Sequence, residues 1–176
     1  MTSRDLEAGG IARPTARFLL AHPAHLIALG FGSGLAPVAP GTCGTLWAWL
    51  AYLVLASWLN PFAIGVVILV SFFVGWWACT VAATNLRIAD PGCVVWDEVI
   101  AFWIVLWLVM PAGFTGQLAA FVLFRLLDTF KPGPVGWADT LFKGFGWRAG
   151  FGIILDDLVA GFCTLFLIAL ARRLWT

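Results

Sequence analysis

The apolar residues of this chain lie in long unbroken runs and do not alternate with polar residues. From residue 18 to residue 86 there is no Asp, Glu, Lys or Arg. One membrane-spanning helix needs about 20 mostly apolar residues, so this interval can hold two. We expect spans at 45–59 and 62–83, separated by a turn at Asn60-Pro61. Continuous apolar runs indicate helices, because the strands of a membrane barrel alternate instead.

Further apolar runs follow a polar loop at 84–93, and they cover residues 99–114, 118–130 and 158–171. The sequence PAGFTGQ predicts a turn between the first two runs. Lys131-Pro132 should end the second run, because proline cannot continue a helix. The Gly-rich segment 133–150 is interfacial in character. The pattern predicts an all-α, multi-pass membrane protein, with a compact bundle of four to five hydrophobic helices and interfacial loops.

Composition supports the membrane class. Of the 176 residues, 62% are hydrophobic and 11% are charged, whereas soluble domains carry about 25% charged residues. The net charge of +1 and the lack of a long basic run argue against a nucleic-acid partner. No two of the four cysteines have CxxC spacing, so we expect neither a disulfide framework nor a zinc site.

The N-terminal residues differ in character from the rest of the chain. Residues 1–20 are predicted to be a polar, partly disordered tail, and residues 21–176 a single membrane-embedded domain. Arg13 and Arg17 favour a cytoplasmic N-terminus, because cytoplasmic segments are enriched in Lys and Arg. Strict alternation over five spans would then put Arg172 and Arg173 outside, against the same rule, so the orientation stays open.

Five of the nine acidic residues adjoin or interrupt hydrophobic helices, namely Asp97, Glu98, Asp128, Asp156 and Asp157. A charge at the bilayer centre costs from about 3 to more than 10 kcal/mol, so such residues face a bundle interior, pair, or bind an ion. Helix neighbours are about 100° apart, so carboxylates from different helices can converge on one cavity. Oxygen ligands without nearby His or Cys suit Mg²⁺ or Mn²⁺ better than zinc.

Ordinary ion pairing is an alternative for these acids. Arg125, Arg148 or Lys143 could neutralise them, and Asp97 and Glu98 stand near a helix start, where carboxylates complement the helix dipole.

Candidate phosphate ligands occur in two places. Arg125 and Lys131 flank Asp128 at three-residue spacing; Arg forms bidentate hydrogen bonds to phosphate, and Lys acts as a point charge. The Gly-rich stretch 30–46 precedes a helix and could present backbone N–H groups to an anion, or form only an interfacial turn. The candidate phosphate-binding residues are Arg125, Lys131, Ser33, Gly41 and Thr42.

Several phosphatase classes are excluded by the motifs that they require. No histidine follows His25, which excludes the membrane phosphatases that use a nucleophilic histidine downstream of a Lys/Arg motif. The CxxxxxR motif of cysteine phosphatases and the DxDxT motif of the haloacid dehalogenase type are also absent.

Four segments, in order, resemble the phosphatidylglycerophosphatase A family: HLIALGFGSGLAPVAPGTCGTL, VVWDEVIAFWI, FRLLDTFKPGPVGWAD and GFGIILDDLVAG. The resemblance runs from about His25 to about Gly161. It implies Mg²⁺-dependent hydrolysis of phosphatidylglycerophosphate to phosphatidylglycerol and phosphate in glycerophospholipid synthesis. It also implies a phospholipid substrate within the bilayer and a bacterial inner-membrane location, and we expect the active site on the cytoplasmic side. The matching motif residues are Gly32, Ser33, Gly34, Pro40, Gly41, Thr42, Trp96, Asp97, Glu98, Arg125, Asp128, Lys131, Pro132, Asp156 and Asp157.

Residue and family considerations combine into one hypothesis. Mg²⁺ would be held by some of Asp97, Glu98, Asp128, Asp156 and Asp157. The catalytic candidates are Asp157 and Glu98, either of which could be the general base, and Lys131, which with Arg125 would neutralise the phosphate oxygens. A covalent aspartyl-phosphate is a variant of this scheme.

Two alternatives to this function stay open. One is a small transporter or channel whose intramembrane acids line an ion pathway. The other is a phosphatase for a different lipid phosphate, such as phosphatidate or an isoprenoid phosphate.

Overall fold

The computed structural model describes residues 14–110 and 112–175. All regular secondary structure in this part of the chain is helical, which confirms the all-α prediction. The elements are α1 (Ala16–Leu20), α2 (Pro23–Ala28), a 3-10 helix (Gly30–Leu35), α3 (Pro40–Trp58), α4 (Pro61–Leu86), α5 (Trp96–Val109), α6 (Phe114–Phe130), α7 (Pro134–Leu141) and α8 (Trp147–Trp175).

Helix α5 forms the centre of the bundle. It packs against α3, α4, α6 and α8, and 11 of its 14 residues are buried. A helix that is apolar on all sides is typical of a buried core element. Asp97 and Glu98 lie in the first turn of this helix, and both residues are buried in the bundle.

Helices α4 and α8 are long and apolar enough to cross a membrane, over Pro61–Leu86 and Trp147–Leu174. At 1.5 Å per residue, about 26 residues extend over roughly 39 Å, which exceeds a hydrocarbon core of about 30 Å. Phe73 on α4 and Phe166 on α8 are exposed on the outside of the bundle. With α3, α5 and α6, the bundle has five hydrophobic helices, which is compatible with the predicted four to five.

Local signals place two helix ends as predicted. Asn60 caps α4, because its Oδ1 accepts a hydrogen bond from the Ala63 N–H at 2.9 Å, and Pro61 follows at the first helical position. Lys131 ends α6 in a left-handed conformation, with φ 45° and ψ 52°. The turns predicted at Asn60-Pro61 and Lys131-Pro132 are both confirmed.

Other predicted boundaries were wrong. Helix α8 begins at Trp147, well before the apolar run 158–171, and it continues through Asp156 and Asp157. The predicted turn at 111–117 is shorter, because α6 already begins at Phe114. Helix α3 begins at Pro40, so Gly41 and Thr42 belong to its first turn. Of the predicted N-terminal tail, residues 1–20, the structure describes residues 14–20. Within them, Ala16–Leu20 is helical.

Candidate active site

Charged side chains from three helices meet inside the bundle. Helix α5 supplies Asp97 and Glu98, α6 supplies Arg125 and Asp128, and α8 supplies Asp156 and Asp157. The five carboxylate residues are only 3–9% exposed. Buried charges are stable only where they are paired, hydrogen-bonded or bound to an ion. The contacts of Arg125 and Lys131 show how much of that requirement the protein itself meets.

Arg125 joins α6 to α5 and α3. Its Nη1 lies 3.0 Å from Glu98 Oε1 and 2.5 Å from Asp128 Oδ2, and it donates a hydrogen bond of 3.4 Å to Thr45 Oγ1. The Thr45 hydroxyl in turn donates to the Gly41 carbonyl at 2.9 Å. We call Arg125, Glu98, Asp128 and Thr45 the arginine cluster. It fixes the Gly-rich motif of α3 against the acidic residues of α5 and α6.

Lys131 forms a second centre nearer the surface. Its Nζ lies 2.5 Å from both Asp139 Oδ1 and Asp156 Oδ2, and Lys143 Nζ lies 2.8 Å from Asp139 Oδ2. We call Lys131, Asp139, Asp156 and Lys143 the lysine cluster. Partial burial disfavours the charged form of Lys131, but hydrogen bonds to Asp139 and Asp156 outweigh it and raise its pKa. Burial also disfavours the charged form of Asp139, but hydrogen bonds from Lys131 and Lys143 outweigh it and lower its pKa.

The backbone of Lys131 carries strain. A positive φ of 45° is unfavourable for a residue with a Cβ, and glycine usually occupies such a position at a helix end. A strained non-glycine residue persists where its surroundings hold it in place. Here the side chain bridges a carboxylate on α7 and another on α8, so the strained turn places the ammonium group between the two helices.

Three buried atoms in the site have no hydrogen-bond partner among the described residues, namely Glu98 Oε2, Asp157 Oδ2 and Arg125 Nε. Asp157 lies beside Asp128, and the charges of Asp97 and Glu98 also act on it. Leaving a buried polar atom unsatisfied costs about 1–3 kcal/mol, and more for a charged group. The two oxygens are suited to a cation, and the Arg125 N–H to an anion.

The donor atoms of the site are of the kind that suits a divalent cation, although the described side chains are not arranged as a metal site. Six carboxylates, including Asp139, and the three cations Arg125, Lys131 and Lys143 belong to the site, which leaves a formal excess of three negative charges if all are ionised. Oxygen ligands of this kind are those that Mg²⁺ prefers. Within the described ranges, no three His, Cys, Asp or Glu side chains have an arrangement ready to hold a metal. Arg125 and Lys131 already contact oxygens of Glu98, Asp128 and Asp156.

The residues predicted from the Gly-rich stretch have different positions. Gly41 lies against the arginine cluster, because a Cβ there would overlap Glu98 Oε1 and lie 2.9 Å from Arg125 Nη2. Thr42 is partly buried in the first turn of α3. The Ser33 hydroxyl donates to the Gly30 carbonyl at 2.9 Å and closes a turn of the 3-10 helix. Of the three, Gly41 is the one that the structure brings to the charged residues.

Ion pairing, the alternative for the acids, accounts for part of the site. Arg125 pairs with Glu98 and Asp128, and Lys143 pairs with Asp139. Arg148 lies over the Phe142 ring instead, at 5.8 Å from its centroid. Asp97 Oδ1 accepts from the Glu98 N–H at 3.0 Å within the first turn of α5.

Sequence reasoning missed Asp139 as a part of the site, and it noted the Thr45 hydroxyl in the Gly-rich stretch but left it out of the phosphate-binding candidates. Asp139 stands in the segment GPVGWAD and four residues before Lys143, a spacing that favours an ion pair on a helix. Thr45 stands four residues after Gly41, the spacing at which a threonine hydroxyl reaches a helical carbonyl. These local signals were present, but neither indicates contact with Lys131 or Arg125.

Comparison with known proteins identifies the relatives of this chain. The family model described as Phosphatidylglycerophosphatase A matches residues 26–172. The chain belongs to the phosphatidylglycerophosphatase A family. The match contains every charged residue of the arginine and lysine clusters, so the resemblance noted in the four sequence segments is confirmed.

Curated members of the phosphatidylglycerophosphatase A family cover most of the chain. A protein of that name from Escherichia coli (strain K12) is 38% identical over 145 residues, which is 82% of this chain and 81% of the relative. Another of that name, from Haemophilus influenzae, is 35% identical over 84% of this chain and 87% of its own length. A Bacteroides thetaiotaomicron protein, provisionally named a phosphatidylinositol-3-phosphatase, is 38% identical over 84% of this chain and 92% of its own length. No solved structure matches the chain.

Proposed function

We propose that this protein is a membrane lipid phosphatase that hydrolyses phosphatidylglycerophosphate to phosphatidylglycerol and inorganic phosphate. The observation that carries the proposal is the contact of Arg125 and Lys131 with buried carboxylates of α5, α6 and α8, in a family named for this reaction. The two relatives named phosphatidylglycerophosphatase A support the substrate.

Arg125 and Lys131 retain donors for a phosphate group. A guanidinium has five N–H donors, and Arg125 uses Nη1 for the protein contacts while its buried Nε has no partner among the described residues. An ammonium has three donors, and Lys131 uses two for Asp139 and Asp156. Both residues can therefore bind phosphate oxygens while keeping their ion pairs.

A carboxylate with an unpaired oxygen can take the proton of the attacking water. Asp157 Oδ2 and Glu98 Oε2 are the two buried oxygens without a partner in the described part of the chain. In this scheme the water oxygen bonds to phosphorus, and the bond from phosphorus to the glycerol oxygen breaks. The proton taken up by the carboxylate is then available to the leaving glycerol oxygen, so the proton count closes. Arg125 and Lys131 stabilise the negative charge of the phosphoryl oxygens throughout.

Mg²⁺ is part of the proposal, with ligands drawn from Asp97, Glu98, Asp128, Asp156 and Asp157. When bound, Mg²⁺ would neutralise the excess carboxylate charge and polarise the phosphate. The support is the oxygen-only donor set, the unpaired carboxylate oxygens and the excess negative charge around them.

We place the site on the cytoplasmic side of a bacterial inner membrane, in a multi-pass protein. Arg87, Lys131, Lys143 and Arg148 belong to the loops and helix ends near the lysine cluster, whose neighbourhood includes Asp90, Asp139 and Asp156. The turn at Asn60 has no Lys or Arg, and Arg172 and Arg173 stand at the far end of α8. The end of the bundle that holds the site has four of these cations and the opposite end has two, which favours the site end as the cytoplasmic one.

One assay tests both the reaction and its metal dependence. Purified protein in detergent micelles is given phosphatidylglycerophosphate with Mg²⁺ or with EDTA, and released phosphate is measured. We expect release only with Mg²⁺. Release that is equal in EDTA would overturn the metal proposal, and no release under either condition would overturn the phosphatase proposal.

A second substrate is favoured by the Bacteroides relative, whose name refers to a phosphoinositide. Phosphatidylinositol 3-phosphate and phosphatidate are therefore tested in parallel at matched micelle concentration. We expect phosphatidylglycerophosphate to have the highest kcat/KM. A higher value for either of the other lipids would move the substrate assignment to that lipid while keeping the reaction class.

A further inference from the structure

A hydrophobic groove of about 470 Å³ lies beside the charged site, outside the residues assigned to the reaction. It runs between the end of α6, the Pro132–Gly133–Pro134 segment and α8. Leu127, Val159 and Phe166 are among its lining residues, and Cys163 supplies its one sulfur atom. Among the described residues no charged side chain lines it, so it suits an apolar ligand.

The groove adjoins the lysine cluster along the chain. Pro132 and Gly133 line it, and they directly follow Lys131. On α8, Val159, Cys163 and Leu167 stand three, seven and eleven residues after Asp156, which places them on one helix face with it. From Asp156 to Leu167 the helix rises about 16 Å. One stripe of α8 therefore starts at a carboxylate bound to Lys131 and continues as an apolar wall.

The groove lies on an exposed face of the bundle, since two of its lining phenylalanines are largely accessible. It lies along α8, one of the two helices long and apolar enough to cross a membrane. Phe162 and Phe166 on its rim are 59% and 68% exposed, and their side chains favour lipid over water. Prolines on both sides of Gly133 restrict the backbone of the segment 132–134, because each proline fixes its own φ. A ligand that fills this groove from the lysine cluster must be polar at one end and apolar over the remainder.

We propose that the groove binds one acyl chain of the phospholipid substrate, while Lys131 and Arg125 bind its phosphate. The inference rests on the proposed function and adds a defined chain-binding site to it. The outer face of α4 is equally apolar at Val70 and Phe73, but those residues do not line this groove beside Lys131 and Asp156. Bulk lipid can cover α4, whereas the groove selects the chain of the bound substrate.

Filling the groove tests the proposal through chain length. Cys163→Trp places a large side chain in the groove, and Val70→Trp adds the same side chain to the exposed face of α4 as the matched control. Both are assayed with dioleoyl and dihexanoyl phosphatidylglycerophosphate in the same micelles with Mg²⁺. We expect the ratio of kcat/KM for the long over the short substrate to fall at least tenfold in Cys163→Trp and less than twofold in Val70→Trp. An unchanged ratio in Cys163→Trp would overturn the proposal.

A binding measurement on the unmodified protein separates this inference from the phosphatase proposal. In EDTA, the alkylation rate of Cys163 by an apolar maleimide is followed by mass spectrometry, with Cys43 as internal reference. We expect dioleoyl phosphatidylglycerophosphate to slow alkylation of Cys163 at least threefold relative to Cys43, and dioleoyl phosphatidylcholine or the dihexanoyl lipid to have little effect. Equal protection by phosphatidylcholine would show a groove that holds bulk lipid and would overturn the proposal. Selective protection without any hydrolysis would support the groove and refute only the reaction.

Discussion

The arginine cluster and the lysine cluster use the same chemistry in different settings. In each, one cation bridges carboxylates from two helices. The side chains of Arg125 and of its partners Glu98 and Asp128 are 11–16% exposed, and all three residues belong to the central helices. Lys131 is 30% exposed, and one of its partners, Asp139, belongs to the short helix α7. The arginine cluster is thus a part of the bundle core, whereas the lysine cluster closes the site at its surface.

This difference predicts that the arginine cluster has the larger effect when broken. Arg125→Ala leaves Glu98 and Asp128 buried without their cation. Removing one partner of a buried ion pair costs about 3–5 kcal/mol, so we expect a loss of that size in the free energy of unfolding and phosphatase activity reduced at least a thousandfold. Reversible unfolding in mixed micelles and phosphate release measure the two effects.

The control for Arg125→Ala replaces the ion pair by apolar side chains. Arg125→Leu with Glu98→Leu removes both charges, so stability should recover in part while activity stays lost. An active Arg125→Ala protein would contradict the placement of this residue at the phosphate.

Asp157 lies beside Asp128 of the arginine cluster and forms no direct ion pair among the described residues. Asp157→Asn removes a negative charge beside Asp128 and near Asp97 and Glu98, so repulsion falls and the thermal midpoint should stay equal or rise. If Asp157 Oδ2 takes the proton of water or binds Mg²⁺, activity should fall at least a hundredfold. Asp156→Asn is the matched comparison, because it weakens the contact with Lys131 and should lower the midpoint. Full activity in Asp157→Asn would leave Glu98 as the candidate base.

Lys131 allows function and backbone strain to be separated. Lys131→Gly removes the ammonium group and also relieves the left-handed backbone, whereas Lys131→Ala removes the ammonium group alone. We expect phosphatase activity to fall by about tenfold to a hundredfold in both variants. Lys131→Gly should be more stable than Lys131→Ala by about 1 kcal/mol. Equal stability of the two, measured by denaturant unfolding, would mean that the strain is relaxed in solution.

The smallest expected effect concerns pH and the rim of the site. The pKa of Asp139 is lowered, so its pairing contributes stability above its ordinary pKa near 4 and loses it as pH falls through the lowered value. The pKa of Lys131 is raised, so its contribution is complete below its ordinary pKa and is lost only as pH rises through the raised value. Between about pH 5 and pH 9 both groups stay charged, so this pair should not change the unfolding midpoint over that range. Asp139→Asn should flatten the acid limb below about pH 4, and an identical limb in the variant would refute the pairing.

The helical class and an interior position for the acidic residues could be predicted from the sequence, because both follow from local features of the chain. Proline at 61 and 132 marks boundaries without reference to the rest of the chain, and the cost of burying Asp97 or Asp128 indicates an interior site. The start of α8 could not be found in this way. The sequence indicates that Asp156 and Asp157 interrupt a hydrophobic segment, but the Gly-rich residues before them give no clear signal that the helix already begins at Trp147. The pairing of Asp139 with Lys131 likewise depends on how α7 packs against α8. The Mg²⁺ ligands and the general base stay predictions.

The two glycines of α3 that face α5 have a consequence for how tolerant the protein is to mutation. A Cβ at Gly41 would overlap Glu98 Oε1, and one at Gly44 would lie 2.6 Å from Val95 Cβ and 3.0 Å from Glu98 Oε2. A larger residue at Gly41 has to push Glu98 away from Arg125, and one at Gly44 has to displace Val95. In a saturation screen scored by growth or turnover, both positions should therefore have the intolerance profile of reacting residues, although neither glycine has a side chain that could react.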